Sequence, residues 1–112
     1  MRNAEGLDYD HCWVLDRSAA AEDLVLAARL SELQSGRMLE ISTNQPGIQF
    51  YNGSFLDGSV TGRGGRRHGP RAGLCLKPQN FPDAPNHAHF PKSRLEPCEV
   101  YTNCIVYQFA SS

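Results

Sequence analysis

No stretch of this 112-residue sequence approaches the roughly 18 consecutive apolar residues that a membrane-spanning helix requires. Its first residues, MRNAEGLDYDHCWVL, contain one early arginine but no long apolar segment ahead of a small-residue cleavage site, so no secretory signal is expected. The four cysteines, Cys12, Cys75, Cys98 and Cys104, form no CxxC pair. Without that spacing or a secretory context, reduced thiols in a cytoplasmic protein are the expectation, rather than a disulfide framework. Charge of one sign is also lacking. A formal net charge of -1 with 9% aromatic residues fits a soluble globular domain and excludes the strongly charged, core-poor composition of a disordered chain. No internal repeat or linker divides the sequence, so residues 1 to 112 are read as one domain. A chain this short buries a smaller share of its surface than a large enzyme does, which makes a site with walls on several sides hard to complete.

What the sequence does contain is a series of short apolar or alternating runs. They fall at residues 12 to 15 (CWVL), 24 to 30 (LVLAARL), 38 to 43 (MLEIST), 47 to 51 (GIQFY), 73 to 76 (GLCL) and 99 to 109 (EVYTNCIVYQF). Gly, Pro, Asn, Asp and Ser separate them, which is the rhythm of an all-β domain. In the last run Tyr101, Asn103, Ile105, Tyr107 and Phe109 share one face because side chains alternate along a strand, and that face is the better candidate for the core. One segment conflicts with this picture. Residues 18 to 34 are rich in strong helix formers, with Leu26, Leu30 and Leu33 at helical spacing, although Leu24, Leu26, Ala28 and Leu30 also alternate.

SGR at 35 to 37 and NGS at 52 to 54 are turn signals. Residues 58 to 71, GSVTGRGGRRHGPR, read as a long flexible loop carrying Arg63, Arg66, Arg67 and Arg71. Guanidinium forks among glycines suit phosphate backbones. The overall charge is not basic and no stacking aromatics are interleaved, so a solvated connection is expected and no nucleic-acid partner. His87 and His89 would project to the same side of an extended segment and, with a cysteine, present zinc ligands. They lack a closer second ligand pair, so they are read as loop histidines and no metal is assigned. Asp10 and His11 fit a capped turn, and Gln49 a strand residue facing solvent, unless a larger pattern gives them another role.

That pattern exists. DYDHCWVL, SGRMLEISTNQPGIQFYNGSFLDG, GLCLKPQNFPDAPNH and FPKSRLEPCEVYTNCIVYQF, in this order and spacing from about Gly6 to Phe109, resemble the C-terminal portion of the aldose 1-epimerases, or galactose mutarotases. The resemblance implies an all-β fold, part of a large antiparallel β-sandwich called a supersandwich, and therefore a strand over 24 to 30. It implies a small-molecule partner, a hexose such as galactose or glucose, whose α and β anomers are interconverted without a cofactor. In that chemistry a glutamate takes the proton of the anomeric hydroxyl while a histidine protonates the ring oxygen.

The YDH motif places the family's sugar-binding aspartate at Asp10, and GIQFY places its sugar-contacting amide at Gln49. The glutamate position ahead of the Q-x-x-P-D loop is occupied by Lys77. A solvent-exposed lysine is ordinarily protonated at neutral pH and has no lone pair to accept a proton. None of His11, His68, His87 and His89 matches the family's catalytic histidine motif, which belongs to the N-terminal part of the fold. Cys98 stands where the family commonly has the glycine of an L-x-P-G-E turn, a source of strain if the backbone there needs positive φ. The implied function is an aldose 1-epimerase-like protein inactive as this portion alone. The alternative is a non-catalytic carbohydrate-binding remnant. A partial sandwich also exposes strand edges, which implies self-association.

Overall fold

A computed structural model describes residues 8 to 17 and 23 to 112. Six strands form: β1 (Asp10–Val14), β2 (Val25–Ser31), β3 (Arg37–Thr43), β4 (Gly47–Tyr51), β5 (Cys75–Gln79) and β6 (Ile105–Ser111). They build two three-stranded antiparallel sheets, ordered β1-β4-β5 and β2-β3-β6. Among the described residues, two short 3-10 turns, Arg63–Gly65 and Ala84–Asn86, interrupt the extended chain. Among the described residues no helix is long and apolar enough to cross a membrane.

The segment with competing signals is a strand from Val25 to Ser31. It pairs along its length with β3, from Val25 opposite Thr43 to Ser31 opposite Met38, with a register shift between Leu26 and Ala28. A ladder of interstrand hydrogen bonds outweighs the few tenths of a kcal/mol per residue that local propensity offers. Residues 18 to 22 of that segment lie outside the described residues. Gly36, with φ +67, closes the β2–β3 hairpin, where the Glu32 carboxylate accepts the Gln34 and Ser35 N–H groups at 2.7 Å each.

The chain changes sheet between β3 and β4, and the corner is held by side chains. Thr43, fully buried, donates its hydroxyl to the Cys104 carbonyl at 3.0 Å and accepts the Gln45 N–H at 3.1 Å. The Asn44 side chain accepts the Cys104 N–H at 3.0 Å and donates to the Thr102 carbonyl at 3.2 Å. These bonds correct the reading of the last apolar run. Backbone groups of residues 102 to 104 are taken by Thr43 and Asn44, so the strand begins only at Ile105.

Tyr107 and Phe109 do share a face with Ile41, their register neighbours being Ile41 and Leu39. Ile41 is buried, but Tyr107 is 51% and Phe109 77% exposed, so that face is not the filled core the alternation suggests. Nothing described packs over its outer end. Between the sheets, Trp13, Ile48, Phe50 and Leu76 of the first face Leu26 and Ala28 of the second across an open apolar cleft of about 610 Å³. The radius of gyration, 16.8 Å, exceeds the roughly 13 Å of a closed domain of this size, as expected of two sheets that do not fully close on each other.

Cys98 adopts φ +70, a left-handed conformation that a Cβ makes costly. It sits in a turn closed by the Glu99 N–H donating to the Glu96 carbonyl at 3.1 Å. Cys98→Gly is expected to raise the unfolding free energy by about 1 kcal/mol, measured by urea denaturation. Thr43→Val, nearly isosteric, leaves the Gln45 N–H without its side-chain acceptor and the Cys104 carbonyl with the Asn44 N–H alone, and is expected to cost about 1–3 kcal/mol in the same assay.

Candidate functional site

Strand β4 is the middle strand of the first sheet, so its side chains are flanked on both sides. Gln49 lies opposite Cys12 of β1 and opposite Lys77 of β5. Residues opposite one another in antiparallel strands share a face, and so do residues two apart along a strand. Asp10, Cys12, Val14, Gly47, Gln49, Tyr51, Cys75, Lys77 and Gln79 therefore project from one side of the sheet. The alternate residues, His11, Trp13, Ile48, Phe50, Leu76 and Pro78, project from the other, toward the second sheet. The sheet thus has an apolar inner face and a polar outer one.

Asp10, Gln49 and Lys77 meet on the outer face. Gln49 Nε2 donates to Asp10 Oδ1 at 2.8 Å across the diagonal of the β1–β4 ladder. The other end of the amide, Oε1, is buried and has no hydrogen-bond partner among the described residues. A buried acceptor without a donor is rare in folded proteins and marks a position for a ligand group or water. Lys77 is exposed and has neither a hydrogen bond nor an ion pair among the described residues. The face accordingly brings together a carboxylate, a buried carbonyl acceptor without a partner and a free amine. Gln49 is a half-buried strand residue on the outer face, hydrogen-bonded to Asp10, and Asp10 starts a strand instead of capping a turn.

Aromatic residues close the two ends of this face. At one end the Tyr51 hydroxyl accepts the Phe55 N–H at 2.9 Å and the two rings stack at 5.9 Å. At the other end Phe81 lies over Gly47. A Cβ at residue 47 would fall 2.9 Å from Phe81 Cε1 and 3.0 Å from Cys12 Sγ, so the close approach of this loop requires glycine. Phe81 packs edge-on against Phe90 at 5.2 Å, and Phe90 in turn against His87 at 4.8 Å and His89 at 4.6 Å. Asp83, at φ +59, places Oδ2 3.0 Å from His87 Nε2 and accepts a hydrogen bond from Asn86 Nδ2. Sequence reasoning did not single out Tyr51, Phe81 or Gly47. Only the PGIQFY and QNFPD pieces, taken together, carried a trace of their pairing.

No histidine pairs with the side chains of Asp10, Gln49 or Lys77 among the described residues. His11 lies on the inner face, edge-on to Tyr9 at 6.0 Å, and Tyr9 packs against Phe50 at 5.5 Å. His68 sits beside Gly62 in the arginine loop, and His87 and His89 belong to the ring cluster just described. Among the described residues no group of three or more His, Cys, Asp or Glu side chains is placed to hold a metal ion.

Burial pushes the Cys12 thiol above its ordinary pKa, and a hydrogen bond with Gln79 offsets part of that rise. All four cysteines are free thiols. Away from this face, residues 91 to 104 fold over the sheet-to-sheet corner and enclose a second cleft of about 720 Å³, lined by Arg17, Asn44, Gln45 and Tyr101. At its rim the Glu99 carboxyl is held below the usual range by the Glu96 N–H at 2.9 Å and by the Lys92 ammonium. The arginine segment is an ordered knuckle: Thr61 bridges to Arg67, and the Gly62 N–H donates to the Arg66 carbonyl at 2.7 Å. Arg63, Arg66 and Arg67 are exposed, and Arg71 pairs with Asp8 at 2.8 Å.

Comparison with known proteins shows the family. The family model for aldose 1-epimerase matches residues 2–108, and the chain belongs to that family. It is 40% identical over 102 residues to the galactose mutarotase of Mus musculus and 42% to that of Sus scrofa, covering 91% of this chain and 29% of each relative. The aldose 1-epimerase of Escherichia coli K12 is 34% identical over 103 residues, 90% of this chain and 29% of its own length. The crystal structure of an aldose epimerase homologue from C. elegans superposes with a TM-score of 0.81 at 32% identity, over 94% of this chain and 30% of that one. The chain thus spans under a third of the length of these relatives.

The thiols provide a check on the packing around Cys12. With iodoacetamide at pH 8, exposed Cys75 and Cys98 are expected to alkylate at least several-fold faster than Cys12, whose half-buried thiol resists ionisation. Site-resolved mass spectrometry of a time course measures this ordering.

Proposed function

We propose that this chain carries the hexose-recognition side of an aldose 1-epimerase site and, by itself, binds sugar without exchanging its anomers. The observation that carries this reading is the Gln49–Asp10 pair with its buried, unpartnered Oε1 acceptor. A hexose presents hydroxyls that donate and accept in turn. The remaining lone pairs of the Asp10 carboxylate accept one of them, and Gln49 Oε1 accepts the next once the amide turns out of its buried position. Tyr51, Phe55 and Phe81 supply apolar end walls suited to the C–H faces of a sugar ring.

Anomer exchange requires one group to remove the proton of the anomeric hydroxyl and another to protonate the ring oxygen. The family's glutamate position holds Lys77, a side chain with three N–H donors and no acceptor in its charged form. His11, the histidine nearest in sequence to Asp10, is turned to the inner face. Binding without turnover follows from this inventory. Free thiols fit a cytoplasmic setting, and the open strand edges favour association with further strands, supplied by another copy or another chain.

Polarimetry of freshly dissolved α-D-galactose is expected to decay at the buffer rate when the purified 112-residue chain is added. Acceleration proportional to protein concentration would remove the inactivity reading. Ligand-observed NMR with methyl β-D-galactoside is expected to show binding that Gln49→Ala weakens by roughly tenfold, the loss of about one hydrogen bond. Absence of any saturation transfer at high millimolar sugar would remove the recognition reading.

A further inference from the structure

The chain contains two lysines, Lys77 and Lys92, and their surroundings differ. Lys92 is engaged: its Nζ donates to both Glu99 carboxylate oxygens at 3.1 Å. Lys77 has no partner among the described residues and sits directly across from Gln49, on the face where Gln49 and Asp10 meet. A free amine beside a hexose-binding pair has a chemistry of its own. Reducing sugars open spontaneously to an aldehyde at C1, and an amine is the nucleophile that aldehydes capture most readily.

We infer that Lys77 is a covalent attachment site for reducing aldohexoses, a proposal that rests on the hexose reading of Asp10 and Gln49. The Nζ lone pair of the neutral amine attacks C1 of the open-chain sugar. A C–N bond forms as the carbonyl π bond becomes a hydroxyl, giving a carbinolamine. Loss of that hydroxyl with a nitrogen-bound hydrogen releases one water and leaves a Schiff base between C1 and Nζ. No oxidant, reductant or metal enters this balance. The hydroxyls beyond C1 stay on Gln49 Oε1 and Asp10, so the amine and aldehyde react as neighbours instead of meeting from solution. Because only the neutral amine attacks, the reaction accelerates as pH rises.

The test traps the imine. The 112-residue chain is incubated with D-galactose and sodium cyanoborohydride, and the reduced adducts at the two lysines are quantified by peptide mapping after chymotryptic digestion. Lys77 is expected to carry roughly tenfold more adduct than Lys92. Methyl β-D-galactoside, which cannot open, is expected to suppress the Lys77 adduct selectively. Gln49→Ala is expected to bring the two lysines toward equal labelling. Equal labelling in the unaltered chain, with methyl galactoside still binding by NMR, would overturn the inference and leave the hexose reading standing. Preferential labelling that neither methyl galactoside nor Gln49→Ala diminishes would also overturn it, because Lys77 would then simply be the more accessible amine. Failure of methyl galactoside either to bind or to protect would remove the hexose reading and the inference together.

Discussion

The corner at Thr43, Asn44 and Gln45 is the constraint on which the rest of the architecture depends. The two sheets share little filled core, Ile41 and Ile48 being their best-buried aliphatic side chains. What holds the corner between them is a set of directed hydrogen bonds. Thr43 and Asn44 hold the backbone of residues 102 to 104 against the end of β3, and the Leu15 N–H donates to the Pro46 carbonyl at 3.1 Å on the other side of the corner. Arg17 Nη1 adds a bond to the Gln45 carbonyl at 2.9 Å. A thin apolar layer is non-directional and tolerates sliding, whereas such bonds specify a single geometry. β4 starts immediately after this corner, so the placement of Gln49 is inherited from it.

From the corner outward, register does the positioning. With β4 between β1 and β5, one residue of each flanking strand is brought beside Gln49. A one-residue slip of either flank would turn Asp10 or Lys77 to the inner face and an apolar residue outward. The inner-face residues Trp13, Ile48, Phe50 and Leu76 resist that slip, because it would expose them all at once. The apolar side of the sheet therefore secures the chemistry on the polar side, and the glycine at 47 lets Phe81 close the end of the same face.

Much of this was legible in the sequence, for identifiable reasons. Strands β3 and β4 follow directly from the alternation in MLEIST and GIQFY, since a period of two survives any tertiary context that buries one face. β2 was ambiguous because ALVL-type residues serve helix and strand alike, and only the family pattern resolved it. The start of β6 was not legible: Tyr101 to Cys104 alternate as well as the residues after them, and what stops the ladder there is the side chains of Thr43 and Asn44, some 60 positions away in the chain. The motifs point to Asp10 and Gln49, while their mutual hydrogen bond and the unpartnered Oε1 depend on cross-strand register. The strain at Cys98 was anticipated from a single glycine-to-cysteine departure, and the backbone there does adopt positive φ.

The chain has one tryptophan, Trp13, about half exposed and lining the gap between the sheets on the side away from Asp10 and Gln49. Its indole emission accordingly reports how wet that gap is. A blue shift would signal strands drawing together or a neighbouring polypeptide filling the space, while occupancy of the outer face would leave the spectrum nearly unmoved.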